Sequence, residues 1–222
     1  MKPEPQTVVG RHAAPAALTM QIAFRSGAVI VLVFLSSARG AALAQQLAAP
    51  IALVQGTQVG NTTFDPGDTP QGGTGQPVDG IEGSSREMLV VHIHAHLALF
   101  FNGQQIAIPC GIGIVKPFRI DNGFVGVGSG FYWLHTHDAT GIIHIESPDS
   151  RSYTLGNFFD IWGKPLSARG VAGLNGIVCA FVDGKAYSGD PRAIRFGPHT
   201  QITLEVGGPV VPPPVYVFPN GL

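Results

Sequence analysis

Six of the eight histidines of this chain fall in two short segments, Val91-His92-Ile93-His94-Ala95-His96 and Leu134-His135-Thr136-His137-Asp138, the second running on through Ile143-His144-Ile145-Glu146. Neutral imidazole is the commonest side-chain ligand of Zn(II) and Cu(II), and alternation decides which imidazoles share a face of a strand. His92, His94 and His96 project together, while Val91, Ile93, Ala95 and Leu97 turn to the opposite, core-facing side. At a rise of ~3.3 Å per residue, His92 and His96 stand roughly 13 Å apart along the strand, so a single ion takes two neighbours of the three. If residues 138–141 form a hairpin loop, His135 opposes His144 and His137 opposes Ile142. That register puts His135, His137 and His144 on one face with Glu146 beside them, whereas a slip of one residue sends His144 to the other side.

The metal candidates are therefore His92, His94, His96, His135, His137 and His144. Glu146 is a candidate fourth ligand or general base, and cross-strand pairing with a polar neighbour explains it as simply. Asp138 is either an orienter of an imidazole N–H, and so a catalytic candidate with Glu146, or a loop cap. His12 and His199 lie outside the cluster, the latter in the turn Gly197-Pro198-His199. All-imidazole ligation suits copper(II), with zinc as the alternative. The three methionines are Met1, Met20 and Met88, which leaves the expected mature domain one thioether and no thiolate pair for a soft Cu(I) shuttle.

The elements that position these side chains read as short strands between turns. Leu89 to Phe101 meets Asn102-Gly103, a strong two-residue hairpin signal, and Gln104 to Pro109 returns as its partner. Ile177 to Val182, Asp183-Gly184 and Lys185 to Tyr187 repeat the plan. Phe131 to His135 pairs with Ile142 to Glu146, and Gln201 to Val206 is a further strand. One helix is expected: Thr154 is the N-cap, Leu155, Phe158, Phe159 and Trp162 share one face, and Gly163 with Pro165 ends it. Those aromatics are core by spacing. The Pro-rich tail from Val206 to Leu222 should run extended, wrapping the sheet or lying beside the site. The fold class is mainly β, a small β-sandwich or barrel of short antiparallel strands with one short helix, with a β-grasp-like α+β domain as the alternative.

Charge and targeting bound the rest. Residues 26–38 form an apolar run after Arg25, followed by the small residues Gly40-Ala41-Ala42-Leu43-Ala44, the layout of a secretory signal peptide cleaved after Ala44. Met20 is an alternative start. The run is shorter than the ~20 apolar residues of a spanning helix, so no integral membrane domain is expected after cleavage. Residues 45–80, rich in Gly, Thr, Pro and Gln, read as a flexible leader, and residues 81–222 as one β-rich metal-binding domain with the Pro-rich tail. The expected location is periplasmic or secreted. Beyond Ala44 there remain 9 basic and 13 acidic side chains, a net charge of −4 that excludes a polybasic, nucleic-acid-binding surface. Cys110 and Cys179 both lie in the mature part. An oxidising compartment permits a disulfide, and two small buried thiols are the other reading.

HIHAHLALFFNGQQIAIPCGIGI, LHTHDATGIIHIESP, YTLGNFFDIWGKPL and FVDGKAYSGDPRAI together resemble an uncharacterised family of exported bacterial and archaeal proteins, over residues 78–222. The resemblance implies that the histidines act as one site, and it implies no activity. His-Thr-His followed by Glu is also faintly similar to the metal motif of cupins, small β-barrels with His and Glu ligands on barrel strands, although the Gly and Pro spacing of that motif is missing here. Three functions fit this reading: a metal-binding protein that stores, buffers or delivers Cu(II) or Zn(II); a metal-dependent enzyme using copper oxidation or zinc-activated water; and an interaction module with a structural metal.

Overall fold

The structure is a computed structural model that describes residues 48–65, 72–86 and 90–222. The proposed signal sequence, residues 1–44, lies outside the described residues. Among the described residues the fold is mainly β, with several antiparallel sheets, one α-helix and no closed barrel. No helix among the described residues is long and apolar enough to cross a membrane.

Seven strands form the main sheet: β1 (Val91–Phe101), β2 (Gln104–Ile106), β3 (Leu134–His135), β4 (Ile142–Ser147), β5 (Val178–Val182), β6 (Lys185–Tyr187) and β7 (Gln201–Val206). Their order is β6-β5-β7-β1-β4-β3, with β2 paired to the end of β1. All pairs are antiparallel except β7 with β1, which run parallel. The two expected Asn/Asp-Gly hairpins are present as β1–β2 and β5–β6, with Asn102, Gly103, Asp183 and Gly184 all at positive φ as a tight two-residue turn requires. The expected strand Phe131 to His135 is divided. Gly130–Tyr132 pairs with Gly83–Ser84 and Ile114–Val115, and only Leu134–His135 joins β4.

Alternation sorts the sheet into two faces. Ala95, Leu97 and Leu99 of β1, Leu134 of β3, Ile143 and Ile145 of β4, and Ile202, Leu204 and Val206 of β7 share one buried core with the helix α1 (Leu155–Trp162). Leu155, Phe158, Phe159, Ile161 and Trp162 of that helix are fully buried. Thr154 and Asn157 form a reciprocal capping box at its start, and Gly163, at φ 69°, closes it in the left-handed conformation. The opposite face of the sheet carries the histidines at one end and Ala98, Phe100 and Ile142 beyond them.

That second face needs an apolar cover, and the chain on both sides of the sheet supplies it. Leu53 and Tyr216 are buried against Ala98, Phe100 and Ile142, and Ile51–Ala52 pairs in parallel with Tyr216–Val217. The described N-terminal part of the segment expected as a leader thus packs on the sheet. Gly56 N–H donates to Asp138, Val59 N–H to Ala139 O, and Asn61 exchanges backbone hydrogen bonds with Gln105 and Ala107. Phe64 packs edge-on against Trp162, with ring centroids 5.1 Å apart. The tail both covers the sheet and reaches the site. Cys110 and Cys179 are free, which decides for the thiol reading: Cys110 is buried with Ile114 and Val125, and Cys179 lies on β5 opposite Glu205.

Candidate metal centre

β4 lies between β1 and β3, and its pairing on both sides builds the site. His144 is opposite His94 on β1 and opposite His135 on β3, so three imidazoles form a row across three strands on one face. Glu146 is opposite His92 in the next row. The register of β3 with β4 is the one expected from a loop over residues 138–141. Gly141 makes that loop close: its φ is +89°, and a Cβ there would stand 2.4 Å from Leu97 O.

His135, His137, His144 and Glu146 are buried, and each offers a ligand atom within 4.8 Å of the others; His92, His94, His144 and Glu146 form a second such set. His135 Nδ1 lies 2.7 Å from Tyr132 O, and His137 Nδ1 2.6 Å from Val125 O. A carbonyl only accepts, so both Nδ1 atoms donate, which turns both Nε2 atoms toward the site. Those two Nε2 atoms face each other at 3.1 Å. A cation between them would take both as ligands. Two imidazole nitrogens on one tetrahedral ion with bonds of about 2.0–2.1 Å stand roughly 3.3–3.4 Å apart, close to this spacing. The fixed ring orientation is what backbone partners of ligating histidines provide.

The second set has similar spacings. His94 Nε2 is 3.1 Å from His144 Nδ1, which is 3.2 Å from Glu146 Oε1, and His92 Nε2 is 3.3 Å from the same oxygen. Among the described residues, Glu146 Oε2 is buried without a hydrogen-bond partner. A buried carboxylate oxygen without a donor is costly unless a cation meets it.

Burial governs the protonation states. It holds His94 down to about 4, with His92, His199 and His137 adding to the effect. His135 and His144 are held well below the ordinary range by burial and then by neighbouring imidazoles, His137 first in both cases. These rings are therefore neutral near pH 7, the form that binds a metal. Burial pushes the Glu146 carboxyl up, against the opposing pull of His92 and His137.

Two sequence candidates stand apart. His96 is in neither set: it lies one pleat beyond His94, opposite Ile142, its Nε2–H donates to Thr140 O at 2.9 Å, and its ring packs on Tyr216 at 3.9 Å. The rise of the strand carries it away from both sets, and its bond to Thr140 O secures the loop. Asp138 lines the cavity but its oxygens are engaged within the loop. Oδ1 accepts from Thr140 N–H and the Thr140 hydroxyl, and Oδ2 from Gly56 N–H. These are the bonds of a loop cap. His199 N–H donates to His94 O, and its ring stacks on Phe218.

Some contributors were not foreseen. Val125 grips His137 twice, accepting from its ring and donating its own N–H to His137 O, while Phe124 stacks on the ring at 4.7 Å. The turn Asn122-Gly123, between strands Arg119–Asp121 and Phe124–Val127, carries the same Asn-Gly signal as the first hairpin and could have been read from it. A cavity of about 330 Å³ opens over His92, His137, His144 and Glu146, walled by Phe124 and by the tail from Pro219 to Leu222. The chain matches no protein-family model, no curated protein and no solved structure, so the site is read from its own geometry.

Proposed function

We propose that this is an exported, periplasmic or secreted protein that binds copper(II), or alternatively zinc(II), and stores, buffers or delivers it. The observation that carries this reading is the facing pair of Nε2 atoms on His135 and His137, 3.1 Å apart with each ring held by a backbone carbonyl. An apo protein gains nothing from burying four imidazoles and a carboxylate beside a fifth, exposed imidazole, whereas a divalent ion satisfies them together. Imidazole with one carboxylate suits Cu(II) and Zn(II), and the absence of sulfur from both sets argues against Cu(I). Copper is placed first because divalent copper binds nitrogen sites more tightly than zinc does.

A metal-dependent enzyme is the second reading, and the cavity favours it. A chamber of about 330 Å³ beside Glu146 and the candidate ligands has room for a small substrate, and Glu146 could move a proton to or from a metal-bound water in zinc-type hydrolysis. The test common to both readings is the metal content of the full chain expressed with its N-terminal segment, recovered from the periplasm and analysed by mass spectrometry. Copper or zinc bound in the wild type and lost in His135→Ala and His137→Ala supports the proposal. A folded protein without bound metal that takes up neither ion at micromolar concentration refutes it. Turnover of a substrate by the loaded protein would move the assignment to the enzyme.

A further inference from the structure

We infer that the histidine cluster holds two metal ions, with Glu146 as the carboxylate shared between them; this rests on the metal-binding reading above and extends it. The two sets of candidate ligands overlap in His144 and Glu146 and together contain five imidazoles and one carboxylate. A single tetrahedral ion takes four ligands, so one ion leaves part of this donor set, all but His92 buried, unused. The distances divide the donors. His92 Nε2 lies 3.3 Å from Glu146 Oε1, and His144 Nδ1 lies 3.2 Å from that oxygen and 3.1 Å from His94 Nε2, which makes an outer group around one carboxylate oxygen. His135 and His137 turn their Nε2 atoms to each other at 3.1 Å on the inner side. Glu146 lies within 4.8 Å of ligand atoms in both groups, and its second oxygen is buried without a partner.

A carboxylate bridging two ions through its two oxygens fits ions roughly 3.5–4 Å apart, the separation found in two-metal sites. The outer ion then has four protein donors, His92, His94, His144 and one Glu146 oxygen, the inner ion has His135, His137 and the other oxygen, and the cavity over His92, His137, His144 and Glu146 supplies room for water to complete the inner shell. His92, with 43% of its side chain exposed, sits at the solvent edge of the outer group, which makes the outer ion the exchangeable one. An exchangeable ion above a retained one is the arrangement that metal delivery requires.

The test is the stoichiometry of copper(II), added alone to the full-length protein and measured by mass spectrometry after removal of free ion, with electron paramagnetic resonance on the same samples. The wild type should hold two equivalents, and its integrated spin should fall below two because bridged copper(II) ions couple magnetically. His92→Ala, at an exposed position that does not support the core, should lose one equivalent and recover the full signal of the remaining ion. Glu146→Gln should retain copper with uncoupled spins. One equivalent in the wild type, unchanged by His92→Ala, overturns the two-ion inference and leaves the metal-binding reading standing. No bound copper or zinc in the folded wild type overturns both.

Discussion

Replacing His135 by alanine separates ligation from fold, because the two effects differ in kind and in size. In the wild type, metal at 100 times its dissociation constant stabilises the native state by about 2.7 kcal/mol. For a domain of this size, at about 2–4 °C per kcal/mol, that raises the unfolding midpoint by roughly 5–11 °C. Losing even an outer partner of a metal ligand weakens binding by about 10–100-fold, and losing the ligand itself costs at least as much. With affinity reduced 100-fold, the same metal concentration contributes only about 0.4 kcal/mol, a shift of roughly 1–2 °C. The mutation also carries a metal-independent cost, since truncation leaves Tyr132 O without its imidazole donor in a fully buried position. The metal-induced increment is free of that cost. The assay is thermal unfolding by circular dichroism with and without copper(II) or zinc(II), for wild type, His135→Ala and His96→Ala. His96→Ala should lose stability yet keep the whole increment, because His96 donates to Thr140 O and stands outside both ligand sets. An equal increment in wild type and His135→Ala, or its loss in His96→Ala, would refute the assignment of ligands.

Three further outcomes are expected. His94 and His96 titrate near 4 in the folded chain against 6.5 when unfolded, so below pH 6.5 the unfolded state binds more protons. Stability of the metal-free protein should therefore fall as pH drops from 6.5 towards 4, by about 1.4 kcal/mol per pH unit for each net proton. His135 and His144 act in the same direction, and the raised Glu146 and Glu205 oppose it; urea unfolding at pH 7.5, 6 and 5 measures the net slope, and a flat profile would contradict the burial argument. Gly141→Ala should destabilise the fold by roughly 1–3 kcal/mol and weaken metal binding together, since a Cβ meets Leu97 O and the loop sets the register of His144; denaturant unfolding with a metal titration reads both. Chelation should leave far-UV circular dichroism unchanged, because the main core with α1 lies on the sheet face opposite the histidines; unfolding on chelation would instead favour a structural metal.

Much of the site was legible because it depends on local rules. Alternation placed His92 and His94 on one face with Ala95 and Leu97 on the other, and a four-residue loop was enough to predict His135 opposite His144. The rise per residue led to two neighbours of β1 being expected together, and His92 and His94 are grouped while His96 stands outside both sets. What escaped has no local signature. The parallel pairing of Ile51–Ala52 with Tyr216–Val217 joins residues about as far apart as the described chain allows, and a Gly- and Pro-rich composition hid it. The proton positions on His135 and His137 are set by the carbonyls of Tyr132 and Val125, and a carbonyl is the same in every residue type. The covering tail was anticipated only in outline, since its place over the cavity depends on Tyr216 filling the gap beside Phe100 and Ile142.

The central claim is that His135 and His137 present their Nε2 atoms to one ion, and anomalous diffraction at the copper or zinc edge from crystals of the metal-loaded protein tests it most directly. The account predicts an anomalous peak about 2.0–2.1 Å from both Nε2 atoms, with Nδ1 of each ring still bonded to Tyr132 O and Val125 O. Loaded crystals with no peak between these rings, or with peaks only at exposed sites such as His199, would contradict it.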